Sequence, residues 1–142
     1  MPLSHPKRAL VTGASGDIGS AIATRLAADG MHVVVHANSN LARAQELVDA
    51  IHHEGGSAEA VAFDVTDHQA ASHAIDALLE HGPLQVLVNN AGVFAVKSTG
   101  EFTLEDYEWQ MGVNARAVFA AIQRAAPLLR DGGRIINIGS SL

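Results

Sequence analysis

The stretch Thr12-Gly13-Ala14-Ser15-Gly16-Asp17-Ile18-Gly19 lies between a short apolar run, 9–11, and a segment in which apolar residues recur at helical spacing. We predict a strand, a glycine turn and the first turn of a helix, in that order. Glycines let the main chain approach a pyrophosphate, and the free N–H groups at a helix start favour an anion. The stretch therefore predicts a dinucleotide site formed by Gly13, Ser15, Gly16, Asp17, Ile18 and Gly19.

Composition limits the classes of partner. The chain has 142 residues, 48% hydrophobic and 17% charged, which suits one globular domain, 1–142. A net charge of −6 gives no wide basic surface for nucleic acid or an anionic membrane. Without cysteine there is neither a disulfide framework nor a thiolate metal site. No apolar run has the length of a membrane span, and 1–7 lacks a signal-peptide core, so we expect a cytoplasmic protein.

Apolar runs alternate with helical patterns along the chain. We predict strands at 9–11, 31–36, 60–63, 86–88 and 134–138, helices at 18–27, 41–53 and 67–80, and a long helical region at 103–130. Right-handed crossovers place helices on both faces of a parallel sheet. The order therefore predicts an α/β fold, a Rossmann-like doubly wound parallel sheet.

Polar residues follow the later strands, where open parallel sheets bind their ligands. Asp64-Val65 follows the third strand, Asn89-Asn90-Ala91-Gly92 the fourth and Gly139-Ser140 the fifth, while Asn114 lies in the long helical region. With the glycine turn, this series resembles the short-chain dehydrogenase/reductase family and looks most like its 3-oxoacyl-(acyl-carrier-protein) reductase type. The resemblance covers essentially the whole chain. It implies an oxidoreductase that transfers a hydride from NADPH to a carbonyl substrate, namely a 3-oxoacyl thioester.

The resemblance implies cofactor contacts for the residues after the third and fourth strands. Asp64 would accept a hydrogen bond from the adenine amino group, with Val65 contacting the base through its main chain. Asn90, Ala91 and Gly92 would line the cofactor ribose. Taken alone, Asp64 could instead cap the turn toward the next helix.

The resemblance also implies two catalytic residues. Asn114 would mark a local helix distortion that holds a proton-relaying water. Ser140 would orient the substrate carbonyl, and its neighbour Ser141 is the competing serine. Family members complete catalysis with a Tyr-x-x-x-Lys pair beyond this serine, which the 142 residues do not contain. We therefore expect the N-terminal portion of a longer enzyme, lacking the final strands and helices and turning over poorly by itself.

The glycine turn departs from the family pattern. The short-chain form usually reads TGxxxGxG, which would place the middle glycine where this chain has Asp17. The spacing Gly13, Gly16, Gly19 is that of the extended branch, which includes sugar-nucleotide epimerases and dehydratases. That branch is one alternative, and a dinucleotide-binding module without catalysis is another.

Cofactor choice depends on the end of the second strand, which reads His36-Ala37-Asn38-Ser39-Asn40. An NAD-specific site would place Asp or Glu there for the ribose hydroxyls. A carboxylate about 4 Å from a 2′-phosphate would cost on the order of 1 to 4 kcal/mol, so its absence favours NADP, with NAD as the alternative. Ser15, His36, Asn38 and Ser39 would hold the phosphate by neutral hydrogen bonds, or His36 would hold it in its protonated form.

The remaining expectations concern metals and subunits. Eight histidines are scattered without a spacing that gathers three ligands, so we predict no metal site. We assign Trp109 to core or subunit packing. An apolar stripe in the long helical region, together with the resemblance, predicts a homo-oligomer, either a dimer or a tetramer. The stripe comprises Val113, Val118, Phe119, Ile122 and Leu128.

Overall fold

A five-stranded parallel sheet forms the centre of the structure, a computed structural model that describes residues 5–129 and 132–140. Its strands are β1 (Arg8–Val11), β2 (His32–Ala37), β3 (Ser57–Ala62), β4 (Val86–Asn89) and β5 (Arg134–Asn137). They lie in the order β3-β2-β1-β4-β5, so the chain reverses direction across the sheet between β1 and β4. Ligands of open parallel sheets bind beyond the carboxyl ends of the strands at such a reversal.

Within the described residues, five α-helices connect and flank the strands: α1 (Asp17–Ala28), α2 (Leu41–His53), α3 (His68–Glu80), α4 (Leu104–Met111) and α5 (Ala117–Ala125). The bounds of α2 are those predicted from its apolar spacing. Side chains before two of the helices cap their free N–H groups: Asn40 accepts from the main chain of Arg43 at 3.1 Å, and Asp67 from that of Ala70 at 2.9 Å.

The strands bury alternate residues on opposite faces of the sheet. Ala9 and Val11 of β1 pack with α1 and α2 on one face, whereas Leu10 packs with α3 and α5 on the other. β2 and β4 follow the same alternation, with Val34 and Leu87 on the side of Leu10. Helices therefore cover both faces, and the predicted doubly wound parallel sheet is confirmed.

The strand β3 begins earlier than predicted. It pairs with β2 residue by residue from His32 opposite Ser57 to Ala37 opposite Ala62. Its first residues alternate between exposed and buried rather than forming an apolar run, so hydrophobicity alone marks only the second half. Pairing with a neighbouring strand, which sequence does not display, sets the start of β3.

The long helical region is not one helix. A π-helical turn, Gly112–Arg116, separates α4 from α5, which confirms the predicted distortion at Asn114. Within the predicted apolar stripe, Val113 is buried whereas Phe119 is 65% exposed. The side chain of Leu128, the predicted end at Arg130, and Ser141 lie outside what the structure describes.

Candidate functional site

The glycine turn joins β1 to α1 and lies against the turn that follows β4. Gly13 has a φ of +61°, and a Cβ there would lie 2.8 Å from the Cα of Ala91. A Cβ on Gly19 would collide with the carbonyl oxygen of Gly13 and lie 2.6 Å from the side-chain nitrogen of Asn90. Both positions therefore require glycine because of the close approach of main chain.

Gly16 is different from these two glycines. Its backbone is extended, and a Cβ there would meet only the Gly13 oxygen, at an ordinary 3.5 Å. Gly16 is the N-cap of α1 and has no side chain to satisfy the first N–H groups, which an anion can therefore bind. Asp17, the first residue of α1, is exposed. The unusual glycine spacing therefore leaves the strictly required glycines in place.

Thr12 and Asn90 join the two turns. The Thr12 hydroxyl accepts from the main-chain N–H groups of Asn90 and Ala91 at 3.0 and 3.1 Å and lies 3.4 Å from the carbonyl oxygen of Val88. The Asn90 amide donates to the carbonyl oxygens of Thr12 and Gly13 at 3.1 and 3.2 Å. These bonds hold the two turns in one arrangement, so Asn90 positions the glycine turn as well as lining the cleft.

His36 lies beneath the glycine turn, fully buried at the end of β2. Its Nδ1 accepts from the main-chain N–H of Gly13 at 3.0 Å, so Nε2 carries the proton and donates to the carbonyl oxygen of Phe63 at 2.8 Å. Burial lowers the pKa of the imidazole below its ordinary 6.5, although the Phe63 carbonyl and Asp64 act in the opposite direction. The prediction that a protonated His36 holds a phosphate is therefore wrong: the ring is neutral and supports the turn.

The ends of β2 and β3 form a second wall of the site. The side-chain oxygen of Asn38 accepts from the main-chain N–H of Val65 at 3.0 Å. The Asp64 Oδ1 accepts from the hydroxyl and the main-chain N–H of Thr66 at 2.7 and 2.8 Å, and these bonds lower the pKa of the Asp64 carboxyl. Asp64 thus caps the turn toward the next helix, which is the role expected of it when it is taken alone. It also lines the cleft.

The π-helical turn holds the chain after β4. The Asn114 side chain accepts from the main-chain N–H of Val93 and donates to its carbonyl oxygen, both at 2.8 Å. The side-chain amide of Asn114 therefore fixes main chain beside the cleft.

Farther along this segment, the ammonium of Lys97 and the N–H and hydroxyl of Thr103 bond to the Asp106 carboxylate. These bonds lower the pKa of the Asp106 carboxyl to about 2.

One cleft of about 650 Å³ gathers most of the predicted cofactor residues at the carboxyl ends of the strands. Its lining includes Gly13, Ser15, Gly16, Asp17, Ile18, Gly19, Asn38, Asp64, Val65, Asn90, Ala91 and Gly92. Four further residues were not predicted from the sequence: Thr66, Val93, Trp109 and Val113. Trp109 is 47% exposed and lines this cleft, so it is not a core residue, and its alternative assignment to subunit packing stays a prediction.

Neither predicted catalytic residue is part of this lining, although Asn114 bonds to Val93, which is. Asn114 and Ser140 are not among the described residues that line the cleft. Ser140 is exposed and follows β5, whose end is held by an Asn89 to Asn137 side-chain bond of 2.9 Å and by the Ile138 N–H bonded to the Asn89 carbonyl. Ser140 therefore lies at the carboxyl edge of the sheet, on the β4–β5 side.

The described residues offer neither a metal cluster nor a membrane-spanning helix. Within residues 5–129 and 132–140, the histidines and carboxylates do not come together in threes at any place that could hold a metal ion. Over the same part of the chain, every helix is too short or too polar to cross a bilayer.

Comparison with known proteins places the chain among oxidoreductases. Residues 7–142 match the family described as short chain dehydrogenase. An uncharacterised oxidoreductase of Methylorubrum extorquens is 45% identical over 135 residues, covering 94% of this chain and 54% of the relative. A hydroxynaphthalene reductase-like protein of Metarhizium guizhouense is 42% identical, with coverage of 94% and 51%.

Solved structures give the same result. A short chain dehydrogenase of Burkholderia cenocepacia in complex with NADP has a TM-score of 0.90 and 46% identity, and the match covers 95% of this chain and 56% of that one. The chain thus spans about half the length of the proteins it matches.

Proposed function

The chain belongs to the short-chain dehydrogenase family, and we propose that it forms the NADP(H)-binding part of a reductase acting on carbonyl substrates. The observation that carries this proposal is the 650 Å³ cleft, which combines a close-packed glycine turn, an open helix start and polar strand ends. The 46% identical Burkholderia protein was solved with NADP, which supports the choice of cofactor.

The lining of the cleft offers groups that would bind each part of a dinucleotide. The uncapped N–H groups of α1 would bind the pyrophosphate, and the open space at Gly16 admits it close to the main chain. Asp64 and Val65 would contact the adenine on the β3 side, and Ala91 and Gly92 would line the ribose on the β4 side. Asp17 is exposed at the helix start, so its carboxylate can turn toward solvent and away from the pyrophosphate.

The preference for NADP over NAD rests on the end of β2. His36 is buried there, and the residues that follow, 37–40, include no carboxylate to repel a 2′-phosphate. Ser15, Asn38 and Ser39 would hold this phosphate by neutral hydrogen bonds. Titration of the chain with NADPH and NADH tests the assignment: we expect tighter binding of NADPH, and a clear preference for NADH would contradict it.

The catalytic part of the proposal concerns the β4–β5 side. When bound, the reduced cofactor supplies the hydride for the carbonyl carbon. Ser140 would donate a hydrogen bond to the carbonyl oxygen, where negative charge develops. Asn114 would support a proton relay by fixing the π-helical turn and Val93, and a Tyr-x-x-x-Lys pair from sequence beyond Ser140 would supply the proton.

The substrate is proposed as a 3-oxoacyl thioester. The relative named hydroxynaphthalene reductase-like makes aromatic ketones the second class to test. NADPH oxidation by the full-length protein should be measured with both classes and with simple ketones. Turnover of aromatic substrates alone would contradict the thioester assignment, and NADPH binding without turnover of any ketone would support a non-catalytic dinucleotide-binding module.

We also propose a homo-oligomer, a dimer or a tetramer. Three large side chains of the α4–α5 segment, Tyr107, Met111 and Phe119, are exposed by 52%, 42% and 65%. Burying them between two copies would remove this apolar area from water. Light scattering coupled to size-exclusion chromatography gives the mass directly, and a monomer at micromolar concentration would contradict the proposal.

A further inference from the structure

The indole of Trp109 is an unassigned part of the candidate cofactor cleft. Trp109 lies in α4, close to its end at Met111, and lines the cleft together with Val113, one turn farther along the chain. Val113 is buried, whereas 47% of the surface of Trp109 stays in contact with water. A large aromatic side chain half exposed on the wall of a cleft is well placed to contact a ligand.

Its position assigns Trp109 to one end of the cleft. A Cβ on Gly112, three residues after Trp109, would lie 3.6 Å from the Thr66 methyl group. This helical segment therefore packs against the turn that follows β3. The same turn carries Asp64 and Val65, which line the cleft beside Asn38. The β2–β3 side is the adenosine side of a dinucleotide site, whereas Ser140 marks the opposite side.

We propose that the Trp109 indole packs against the adenine of the bound dinucleotide and contributes directly to its affinity, an inference that rests on the proposed function. Adenine is a flat, weakly hydrated ring system, and stacking it on an indole removes apolar surface of both from water. Because Trp109 lies on the β2–β3 side of the cleft, the adenine would reach its indole and the nicotinamide would not. The contact therefore distinguishes ligands that contain adenine from those that lack it.

The test uses the intrinsic fluorescence of Trp109, the only tryptophan in the 142 residues. Adenosine 2′,5′-bisphosphate carries the adenine half of NADP, and nicotinamide mononucleotide carries the other half. We expect the first ligand to quench or shift Trp109 emission at saturation and the second to leave it unchanged. In a longer protein, the difference spectrum between wild type and Trp109→Phe isolates this indole.

Substitution gives the second readout. Trp109→Ala should weaken binding of both NADPH and adenosine bisphosphate about tenfold, as expected for loss of one base–aromatic contact, and Trp109→Phe should retain most of the affinity. Tyr107→Ala is the matched control. Tyr107 is an aromatic residue of the same helix, 52% exposed and outside the described lining of the cleft, and its substitution should leave both dissociation constants unchanged.

The outcomes separate this inference from the proposed function. If NADPH binds the wild type and Trp109→Ala equally well, and adenosine bisphosphate binds without changing Trp109 emission, the inference is overturned while NADP binding stands. If NADPH does not bind the folded wild-type protein, both are overturned. A Trp109→Ala variant that changes only the oligomeric mass, with unchanged dissociation constants, shows that a second copy covers the indole and also overturns the inference.

Discussion

The two sides of the carboxyl edge of the sheet differ in how completely the described residues enclose them. On the β1–β3 side, Ala9, Leu10 and Val11 of β1 are fully buried, and the glycine turn is fixed by hydrogen bonds in which Asn90 donates and Thr12 and His36 accept. On the β5 side, Ile136 and Ile138 are 44% and 42% exposed. The cofactor end is thus preformed within these residues, whereas the end near Ser140 presents open apolar surface. Binding and catalysis should therefore respond to different substitutions.

The largest effect is expected at the preformed end. In Gly19→Ala, the new methyl group collides with the Gly13 carbonyl and Asn90, so the free energy of unfolding should fall by about 3 kcal/mol and NADPH binding should be lost. Gly16→Ala is the matched control, because its methyl group meets only an ordinary contact and should cost at most about 1 kcal/mol. Urea unfolding of both variants measures the contrast, and equal destabilisation would contradict it.

The next prediction concerns the open end. In the full-length protein, Ser140→Ala should lower kcat about 100-fold through loss of a hydrogen bond to the developing oxyanion. The dissociation constant for NADPH should stay within about twofold of wild type, because Ser140 lies outside the cofactor lining. Steady-state kinetics and cofactor titration provide the two numbers. A parallel loss of cofactor affinity would show that the two ends are not separable.

Thr12 tests the connection between the two turns. Thr12→Val keeps the shape but removes the hydroxyl that accepts from Asn90 and Ala91, which should lower the free energy of unfolding by about 2 kcal/mol. Thr12→Ser keeps the hydroxyl and should recover at least half of that loss. Chemical denaturation distinguishes the variants. Identical stabilities of the serine and valine variants would attribute the effect to packing alone.

The smallest effect is a dependence of stability on pH. Because the pKa of His36 is below 6.5 in the folded state, the unfolded chain binds a proton first as the pH falls through 6.5. The free energy of unfolding should then decrease with falling pH, with a slope of at most about 1.4 kcal/mol per pH unit, and His36 should contribute no slope above that range. The Asp64 and Asp106 carboxyls, whose pKa values are lowered from 3.8, affect the free energy of unfolding in a separate range, at pH values below 3.8.

His36→Gln is the variant for this measurement. Glutamine retains an acceptor and a donor but does not titrate, so its unfolding curves at pH 7.5 and 5.5 should differ less than those of wild type. An unchanged difference would assign the pH dependence to other groups.

The features that were predicted correctly are those whose conformation is determined by residues close in sequence. The apolar spacing of α2 and the glycines of the turn act over a few neighbouring residues, so their outcome could be predicted from the chain alone. The distortion at Asn114 was predicted only through the family resemblance, because nothing in the local sequence distinguishes a π turn from an α turn.

The errors at His36 and Trp109 have a common origin. His36 is buried because β2 lies between β1 and β3 and because Phe63 covers the ring at a centroid distance of 4.2 Å. Trp109 faces the cleft because the helical segment that contains it packs against Thr66. Both environments come from segments distant in sequence, so a local pattern could not show them. The burial of β2 on both faces was the one available signal that His36 would be enclosed.

The π-helical turn at Gly112–Arg116 has a consequence for how this segment tolerates changes in length. A π turn accommodates one residue more than an α turn, and one residue corresponds to about 100° of rotation on an ideal helix. Deleting a residue there could leave a continuous helix, but it would rotate everything on one side relative to the other. Trp109 and Ala125 could then no longer face the cleft and the sheet core together. The single extra residue thus rotates α4 relative to α5, so that one helical segment contacts both the cleft and the sheet core.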